Sequence, residues 1–248
     1  MNMKRILPLL LSLAMALALC ACGSQSSSDG AQTSVSGSTG VEDGVLTVGM
    51  ECAYAPYNWT QMDDSNGAVP ISNVPGSYAN GYDVMIAKKI CEANGWELEV
   101  VRTDWDSLVP GVQSGIYDAV IAGQSMTEER MEQVDFAGPY YYASIVCVTK
   151  KDSPYASAAS VADLKGATCT SQQSTIWYDT CLPQIQDANI LAATASAPDM
   201  LMSLNADKCD LVVTDQPTGK GALVAYPDFK LLEFGGGEND FQVTVSCL

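Results

Sequence analysis

The feature that most constrains the fold of this chain is a repeated alternation of strand-like and helix-like segments. Residues 45–49 alternate in polarity as a strand does, and residues 118–122 form a second apolar strand. Between them, residues 82–93 have the apolar spacing of a helix that stops at Gly95. The alternation continues beyond residue 150. This pattern is typical of mostly parallel sheets covered by helices, so two α/β units of about 95 residues each are predicted.

A helix, a tight turn and an apolar strand led by aspartate occur twice in the sequence. Residues 108–121 resemble residues 200–213. The alignment places Gly123 and Asp215 just past the carboxyl ends of equivalent strands, which is where open α/β sheets bind ligands. Two such edges facing each other would form a cleft between the units. Chance similarity is the alternative explanation.

Composition excludes several classes of function. The 248 residues carry a formal charge of −17, yet only 17% are charged and 47% are hydrophobic, which indicates an acidic globular protein with a core. The acidity argues against nucleic acid as a partner. The chain has no histidine, and so lacks the usual general base and the commonest metal ligand. No metal or cofactor is expected.

The amino terminus has the pattern of an export signal. Lys4 and Arg5 precede an uncharged run over residues 6–19, which is shorter than the ~20 residues of a membrane-spanning helix. A signal peptide is therefore predicted over residues 1–21. Cys22 is followed by Gly-Ser and resembles the lipidated cysteine of bacterial lipoproteins. The alternative is an ordinary signal peptide that is cleaved nearby.

A polar segment follows the signal peptide. Residues 22–44 are mostly Ser, Gly, Thr, Gln and Asp, so they are predicted to form a flexible tether between the lipidated Cys22 and the folded part. Seven further cysteines follow, an odd number that cannot all pair. A Cys169–Cys181 disulfide is one candidate that the sequence leaves open.

Motifs over residues 46–234 carry a resemblance to a known family. They are Tyr54-Ala55-Pro56-Tyr57, Gly81-Tyr82-Asp83-Val84, Trp105-Asp106-Ser107-Leu108-Val109-Pro110, Gly115-Ile116-Tyr117-Asp118-Ala119, Gly123-Gln124-Ser125-Met126-Thr127-Glu128-Glu129-Arg130, Asp135-Phe136, Pro139-Tyr140-Tyr141, Ala162-Asp163-Leu164-Lys165-Gly166 and Val213-Thr214-Asp215-Gln216-Pro217. With these motifs in this order, the chain resembles the bacterial extracellular solute-binding proteins of family 3, the amino-acid receptors of ABC importers.

The resemblance implies the two-lobed α/β fold of type II periplasmic binding proteins. Lobe one is expected over residues 45–142 with a return segment at 238–248, and lobe two over residues 143–237. A hinge is expected near residues 142–145 and again at the three glycines from Gly235. The family continues with more helical sequence, so the carboxyl-terminal part of lobe one is expected to be missing and to leave an exposed apolar patch.

The implied function is capture of a free polar L-amino acid, neutral or basic, by closure of the cleft. The protein would deliver it to a membrane permease with its ATPase, as a monomer held by its lipid on the outer face of the bacterial cell membrane. It would not be an enzyme. The alternative is a secreted enzyme or a ligand-sensing domain on the same fold, for which Glu51 is the one obvious acid or base.

The resemblance assigns the ends of the amino acid to both lobes. Arg130 matches the arginine that binds the ligand carboxylate, with a surface arginine as the alternative. Asp215 matches the aspartate that binds the ammonium, with a helix-capping aspartate as the alternative. Ser125 and the carbonyl of Gly123 should complete the coordination from lobe one.

The remaining candidates surround the ligand. Ser174 and Thr175 stand at a helix start where the family has Gly-Thr, an arrangement suited to a carboxylate. Tyr54 matches a residue that stacks on the ligand, and Trp105 is expected nearby, unless it is a core residue. Glu51 is placed to meet a polar or cationic side chain.

Overall fold

The computed structural model of the chain describes residues 41–243. The signal peptide, Cys22 and most of the expected tether lie outside the described residues, as do residues 244–248. The folded part begins earlier than expected, because Val41 packs against the first hydrophobic core. The carbonyl of Gly44 also accepts the N–H of Glu97 at 2.8 Å. The last four residues assigned to the tether are therefore part of the fold.

Twelve short strands and five α-helices are present in residues 41–243. The strands are β1 (Val45–Met50), β2 (Ala53–Tyr54), β3 (Asn58–Gln61), β4 (Val69–Pro70), β5 (Tyr78–Asn80), β6 (Glu97–Arg102), β7 (Ala119–Val120), β8 (Ile145–Lys150), β9 (Thr168–Thr170), β10 (Asn189–Ile190), β11 (Leu211–Asp215) and β12 (Phe229–Leu232). The α-helices are α1 (Tyr82–Asn94), α2 (Leu108–Gln113), α3 (Glu128–Met131), α4 (Ala197–Asn205) and α5 (Gln216–Ala225). We call β1–β7 with α1–α3 the first lobe, and β8–β12 with α4 and α5 the second lobe.

The first lobe is built on a parallel sheet in the order β6-β1-β7. Val48 of β1 lies opposite Val100 and Ala119, and both Val48 and Val100 are fully buried. Helix α1 ends at Asn94, and Gly95 caps it with φ +73°. The sequence had predicted that the helix stops at this glycine. Strand β7 covers only two of the five residues predicted for it, and both are partly exposed.

The second lobe is built on a five-stranded mixed sheet in the order β10-β9-β11-β8-β12. β8 is antiparallel to both of its neighbours, so four strands share one direction and β8 alone is reversed. The central strand β11 is buried at every residue. Its first three residues, Leu211 to Val213, are apolar without alternation, which is typical of a strand with both faces covered and explains why the sequence identified it.

A third sheet, antiparallel in the order β2-β3-β5-β4, belongs to the first lobe and was missed by the sequence analysis. Residues 67–81 are rich in Pro, Ser, Asn and Gly, yet they contain β4 and β5. These strands have two and three residues, too few for a period-2 pattern to be recognised.

The internal repeat predicted from sequence has a structural counterpart. The carboxylate of Asp118 accepts the N–H of Thr47 at 2.8 Å, and the N–H of Asp118 donates to the carbonyl of Thr47 at 2.9 Å. In the second lobe Asp210 forms the same reciprocal pair with Thr168, at 2.8 and 2.7 Å. Both aspartates therefore tie the start of one strand to its parallel neighbour.

The described part of the expected return segment lies against the second lobe. Phe241 is 5% exposed, belongs to the second-lobe core and makes an edge contact with Phe234, with ring centroids 6.1 Å apart. Gln242 exchanges hydrogen bonds with Gln184 in the same lobe. The expected return into lobe one is therefore wrong for residues 238–243.

An apolar groove of about 370 Å³ lies beside β7 in the first lobe, where an exposed apolar patch was expected. Its walls include Ile86 and Ile90 from α1, Val112 from α2, and Val134 and Phe136 from the segment after α3.

The six cysteines within residues 41–243 are all buried and free, so Cys169 and Cys181 are not bridged. Across the same residues there is no group of three or more Cys, Asp and Glu side chains arranged to hold a metal ion. None of the helices in this part of the chain is both long and apolar enough to span a bilayer.

Two buried threonines of the second sheet give a matched test of polar burial. Thr214 Oγ1 is buried without a hydrogen-bond partner in the described part of the chain, whereas Thr149 Oγ1 donates to the carbonyl of Asp210 at 2.6 Å. Thr214→Val removes the unsatisfied hydroxyl and should raise the free energy of unfolding by about 1 kcal/mol. Thr149→Val should lower it by about 1 kcal/mol. Urea denaturation of both variants checks this, and a loss of stability in Thr214→Val would contradict it.

Candidate functional site

Polar side chains converge where the strands of both lobes end. Glu51 follows β1, Gly123 lies three residues past β7, Gln172 lies two residues past β9, and Asp215 is the last residue of β11. β1 and β7 are parallel neighbours, as are β9 and β11, so each pair of carboxyl ends meets at one edge of its sheet. The two edges face each other across a cleft.

Asp215 is 1% exposed and accepts hydrogen bonds from both lobes. Its oxygens accept the Tyr54 hydroxyl, the Tyr57 hydroxyl at 3.2 Å and the N–H of Thr218 at 2.9 Å. The bond from Thr218 caps the N-terminus of α5, so Asp215 does have the capping role considered as an alternative. The same carboxylate also contacts the first lobe through the two tyrosines. Burial raises the pKa of Asp215, while the bonds from Tyr54, Thr218 and Tyr57 act to lower it.

Tyr54 and Tyr57 reach from the first lobe into the core of the second. Their rings stack with centroids 4.7 Å apart, and Tyr54 also contacts Trp177 at 6.0 Å. Burial, and then the nearby Asp215 charge, raise the pKa of both phenols, which keeps them protonated as donors. Tyr57 was missed as a site residue, although it is the last residue of a quoted family motif.

Arg130 spans the cleft from α3. Its guanidinium donates to the carbonyl of Ser125 in its own lobe and to the carbonyl of Ser174 in the other, both at 2.8 Å. Its Cζ atom lies 5.6 Å from the centre of the Trp105 ring, a cation–π contact. Trp105 itself donates from Nε1 to the same Ser174 carbonyl at 3.3 Å. Burial lowers the pKa of Arg130, and Glu129 and Asp179 oppose that shift.

Ser174 adopts φ +54°, in the left-handed region that favours glycine. A glycine, as the resembled family has here, suits this conformation, and the carbonyl of Ser174 is directed at Trp105 and Arg130. Thr175 is buried, but its hydroxyl donates to the carbonyl of Gln172 at 2.7 Å and accepts the N–H of Tyr178 at 3.3 Å. The Thr175 hydroxyl therefore holds its own turn together.

Gly123 and Ser125 lie on the loop before α3. Gly123 has φ +63°, and its N–H donates to the Tyr140 hydroxyl at 2.9 Å. Ser125 is 8% exposed and lines the cavity between the lobes.

Glu51 meets Gln172 from the opposite lobe. Gln172 Nε2 lies 3.2 and 3.3 Å from the two carboxylate oxygens of Glu51. Both side chains are buried, with 6% and 2% of their surface exposed. Burial raises the pKa of Glu51 to about 7, against the lowering effect of Gln172. Gln172 was missed by the sequence analysis, although it lies just past the end of β9, a position equivalent to that of the other site residues at strand ends.

Two cavities lie on either side of Arg130 and Trp105. The inner one is only about 10 Å³ and is lined by Tyr54, Gly123, Ser125, Gln172 and Thr175, among others. That volume suits about one water molecule. The outer one is about 470 Å³ and opens to solvent, with Asp106, Glu129 and Asp179 on its walls.

The structure brings most of the residues that the sequence proposed to the walls of these two cavities, whereas Glu51 and Asp215 are buried beside them and line neither. Asp215 contacts Tyr54, Glu51 contacts Gln172, and Arg130 contacts Trp105, Ser125 and Ser174. Gly123, Ser125 and Thr175 line the same inner cavity. Cys22 lies outside the described residues.

The fold and this site match known proteins. The family model for bacterial extracellular solute-binding proteins, family 3, matches residues 46–207, which is more than half of the chain. The structure is similar to a crystal structure of the substrate-binding protein of an amino acid ABC transporter, with a TM-score of 0.68 and 28% identity over 82% of this chain and 83% of that one.

Curated relatives agree with the family model. A probable histidine-binding protein of Campylobacter jejuni is 29% identical over 78% of this chain and 69% of its own length. The arginine-binding extracellular protein ArtP of Bacillus subtilis is 34% identical over 57% of this chain and 49% of its own length. The architecture is that of two-lobed type II periplasmic binding proteins. The chain belongs to the bacterial extracellular solute-binding proteins, family 3.

Glu51 should give folding a defined pH dependence. Its pKa is raised from 4.5 to about 7, so between these values the folded state holds a proton that the unfolded state has lost. Stability therefore falls as the pH rises from about 4.5 to about 7, and the deficit persists above that pH. Glu51→Gln removes this dependence and should stabilise the protein by up to about 3 kcal/mol at pH 8 and by much less at pH 5.

Urea denaturation at the two pH values measures this difference. Glu99→Gln, at an exposed glutamate of the same lobe, is the matched control and should change the free energy of unfolding little. An equal effect of Glu51→Gln at both pH values would show that the burial of Glu51 does not govern its titration.

Proposed function

We propose that this protein is the substrate-binding component of an ABC importer and that it captures a free polar L-amino acid, neutral or basic, in the cleft between its lobes. The observation that carries the proposal is the placement of Arg130 and Asp215 on opposite sides of one cleft in a family 3 fold. An α-amino acid presents a carboxylate and an ammonium, and a site that excludes water must satisfy both.

Arg130 would bind the carboxylate. Its guanidinium has five N–H donors, and two of them are directed at the carbonyls of Ser125 and Ser174. The remaining donors can hold a carboxylate through charge-assisted hydrogen bonds worth roughly 1.5–3 kcal/mol each. Ser125 lines the inner cavity beside it and would add a hydroxyl donor.

Asp215 would bind the ammonium. Its Oδ1 atom accepts the Tyr57 hydroxyl and the Thr218 N–H, and its Oδ2 atom accepts the Tyr54 hydroxyl. Because both tyrosines belong to the first lobe, opening of the lobes would free acceptor positions on this carboxylate for a ligand donor. Tyr54, which donates to Asp215, lines the inner cavity together with Trp105, and both rings would surround the aliphatic part of the ligand.

The mechanism would be opening and closure of the lobes. An inner cavity of about 10 Å³ is too small for any amino acid, so the lobes must separate before a ligand can bind. Arg130 lies in the first lobe and Asp215 in the second, so only the closed state satisfies both ends of the ligand. This differential contact is what allows a ligand to shift the population. The lobe boundary at residues 142–143 and the glycines 235–237 are the proposed hinge.

Glu51 favours a ligand with a cationic or strongly polar side chain. It is a buried carboxylate whose single described hydrogen-bonding partner is the amide of Gln172. A cationic side chain would supply a direct counter-charge to this carboxylate. Asp106, Glu129 and Asp179 on the outer cavity would attract the same cation to the mouth of the cleft. The arginine-binding relative from Bacillus subtilis is consistent with this preference.

Export and anchoring complete the proposal. The signal peptide over residues 1–21 would direct export and be removed, and lipid on Cys22 would then hold the protein at the outer face of the cell membrane, tethered by the polar residues that follow. Stable anchoring would need more than one acyl chain. There it would act as a monomer and hand its ligand to a permease and its ATPase.

The alternative is an enzyme or a sensor domain on the same fold. An enzyme would need an acid or base in the cleft beyond the two groups that clamp the ligand, and Glu51 is the candidate. Incubating the protein with bound amino acid and analysing it for turnover separates this alternative from simple binding. Recovery of unchanged ligand supports the binding protein.

Arg130→Ala should abolish amino-acid binding while the fold persists. Losing one partner of a buried charged pair typically costs about 3 kcal/mol, so affinity should fall at least about 100-fold. A thermal-shift panel of the twenty amino acids identifies the ligand, and isothermal titration calorimetry measures its affinity. Lys89→Ala, at an exposed cation of the same lobe that pairs with Glu92, is the control and should bind normally. Wild-type affinity in Arg130→Ala would refute the assignment.

Glu51→Gln should reduce discrimination between cationic and neutral side chains. L-arginine and L-citrulline have nearly the same shape, but only arginine is charged. In the wild type L-arginine should bind more tightly, because Glu51 supplies the opposite charge. In Glu51→Gln the arginine-to-citrulline affinity ratio should fall about tenfold or more. Competition calorimetry measures the ratio, and an unchanged ratio would mean that Glu51 does not face the ligand side chain.

A further inference from the structure

We propose that Asp83 is a positioning residue: through Asn58 and Tyr140 it fixes the two backbone segments of the first lobe that carry the ligand-binding groups. The inference rests on the proposed function for its consequence in binding, but the positioning itself can be tested without any ligand. Asp83 contributes nothing to the cleft surface, and neither cavity is lined by it.

Asp83 is a fully buried carboxylate in the first turn of α1. The N-terminus of a helix stabilises a negative charge, and two side-chain donors complete its environment. Burial raises the pKa of Asp83 to about 7 against the lowering effect of its bonds to Asn58 and Tyr140. Burying a charge costs free energy, and a protein with an apolar residue of the same size at such a position is often at least as stable. Packing alone therefore does not explain an aspartate here.

One branch of the network runs to the end of β1. Asp83 Oδ2 accepts from Asn58 Nδ2 at 2.7 Å, and Asn58 Oδ1 accepts the N–H of Cys52 at 2.7 Å. Cys52 has φ +54°, a left-handed conformation that is unfavourable for a residue with a side chain. The bond from Asn58 holds this strained corner, and Glu51 is the residue directly before it.

The other branch runs to the loop after β7. Asp83 Oδ1 accepts from the Tyr140 hydroxyl at 2.8 Å, and the oxygen of that hydroxyl accepts the N–H of Gly123 at 2.9 Å. Gly123 has φ +63° and begins the loop that carries Ser125 and leads to Arg130. The backbone of Tyr140 is itself held by the Tyr82 hydroxyl, which donates to its carbonyl at 3.2 Å.

One carboxylate therefore sets two turns at once. Both turns have positive φ, and both follow parallel strands of the same sheet. In each turn one backbone N–H donates to a side chain, Asn58 or Tyr140, that in turn donates to Asp83. A carboxylate is needed because both of these side chains donate to it. An asparagine side chain has only one acceptor oxygen. In Asp83→Asn, either Asn58 or Tyr140 would therefore meet the amide NH₂ group, which cannot accept its hydrogen bond.

Hydrogen exchange tests the positioning directly. Asp83→Asn should accelerate amide exchange of both Cys52 and Gly123 relative to the buried amides of β1. Tyr140→Phe removes one hydroxyl and should accelerate exchange at Gly123 alone, by about tenfold, the size of one lost hydrogen bond. The control is Tyr117→Phe, since the hydroxyl of this buried tyrosine is also hydrogen-bonded to backbone but donates to the carbonyls of Ser107 and Leu108. It should leave both amides unchanged.

Calorimetry then tests the consequence with the amino acid that binds the wild type and with its α-carboxamide. Tyr140→Phe should lower the affinity for the amino acid about tenfold and for the amide less, because the Gly123 loop carries the carboxylate site. Tyr117→Phe should preserve the ratio of the two affinities even if it melts at a lower temperature.

The outcomes separate the two claims. Uniform acceleration of exchange across the lobe, or no change at Gly123 in Tyr140→Phe, overturns the positioning role. If Asp83→Asn does not fold, Tyr140→Phe decides alone. A wild type that binds none of the twenty amino acids refutes the proposed function, while local exchange at Cys52 and Gly123 still supports or overturns the role of Asp83.

Discussion

The carboxylate of Asp215 is the group on which the closed cleft depends. A buried carboxylate must be supplied with donors, and here two of the three come from the opposite lobe as the hydroxyls of Tyr54 and Tyr57. Those tyrosines can reach Asp215 only by packing into the second-lobe core, where each is at most 2% exposed. Satisfying one charge therefore brings apolar surface of one lobe into the interior of the other.

The same requirement recurs throughout the first lobe and at its boundary. Glu51, Asp83 and Asp215 are all buried acids, each contacted by donors from elements distant in sequence, and burial raises the pKa of each. Arg130 is the one arginine or lysine that lines the two cleft cavities within residues 41–243. The outer cavity has three acids, Asp106, Glu129 and Asp179, on its walls. The cleft is therefore suited to a ligand that brings positive charge, and its single guanidinium is suited to one carboxylate. An α-amino acid with a polar or cationic side chain meets both conditions.

Features of the fold and the site were predictable from the sequence where they depend on residues close together in the chain. The strand β11 and the helix α1 were identified because a continuous apolar run and a 3.6-residue period are local patterns. Arg130 and Asp215 were found because their motifs are contiguous. Gln172 and the Asp83 network could not be found in this way, since their roles exist only through partners that are 121, 25 and 57 residues away. The strands β4 and β5 escaped because antiparallel pairing, and not periodicity, defines them.

The tryptophans of the cleft have an optical consequence. Trp105 and Trp177 belong to different lobes, are each 7% exposed and line the same inner cavity. Trp59 and Trp96 line neither that cavity nor the outer one. Separation of the lobes would hydrate the first pair of indoles and leave the other two in their surroundings. The chain thus carries a native fluorescence reporter for the opening of its cleft, in which the second pair supplies a constant background, so that closure can be followed in the unmodified protein.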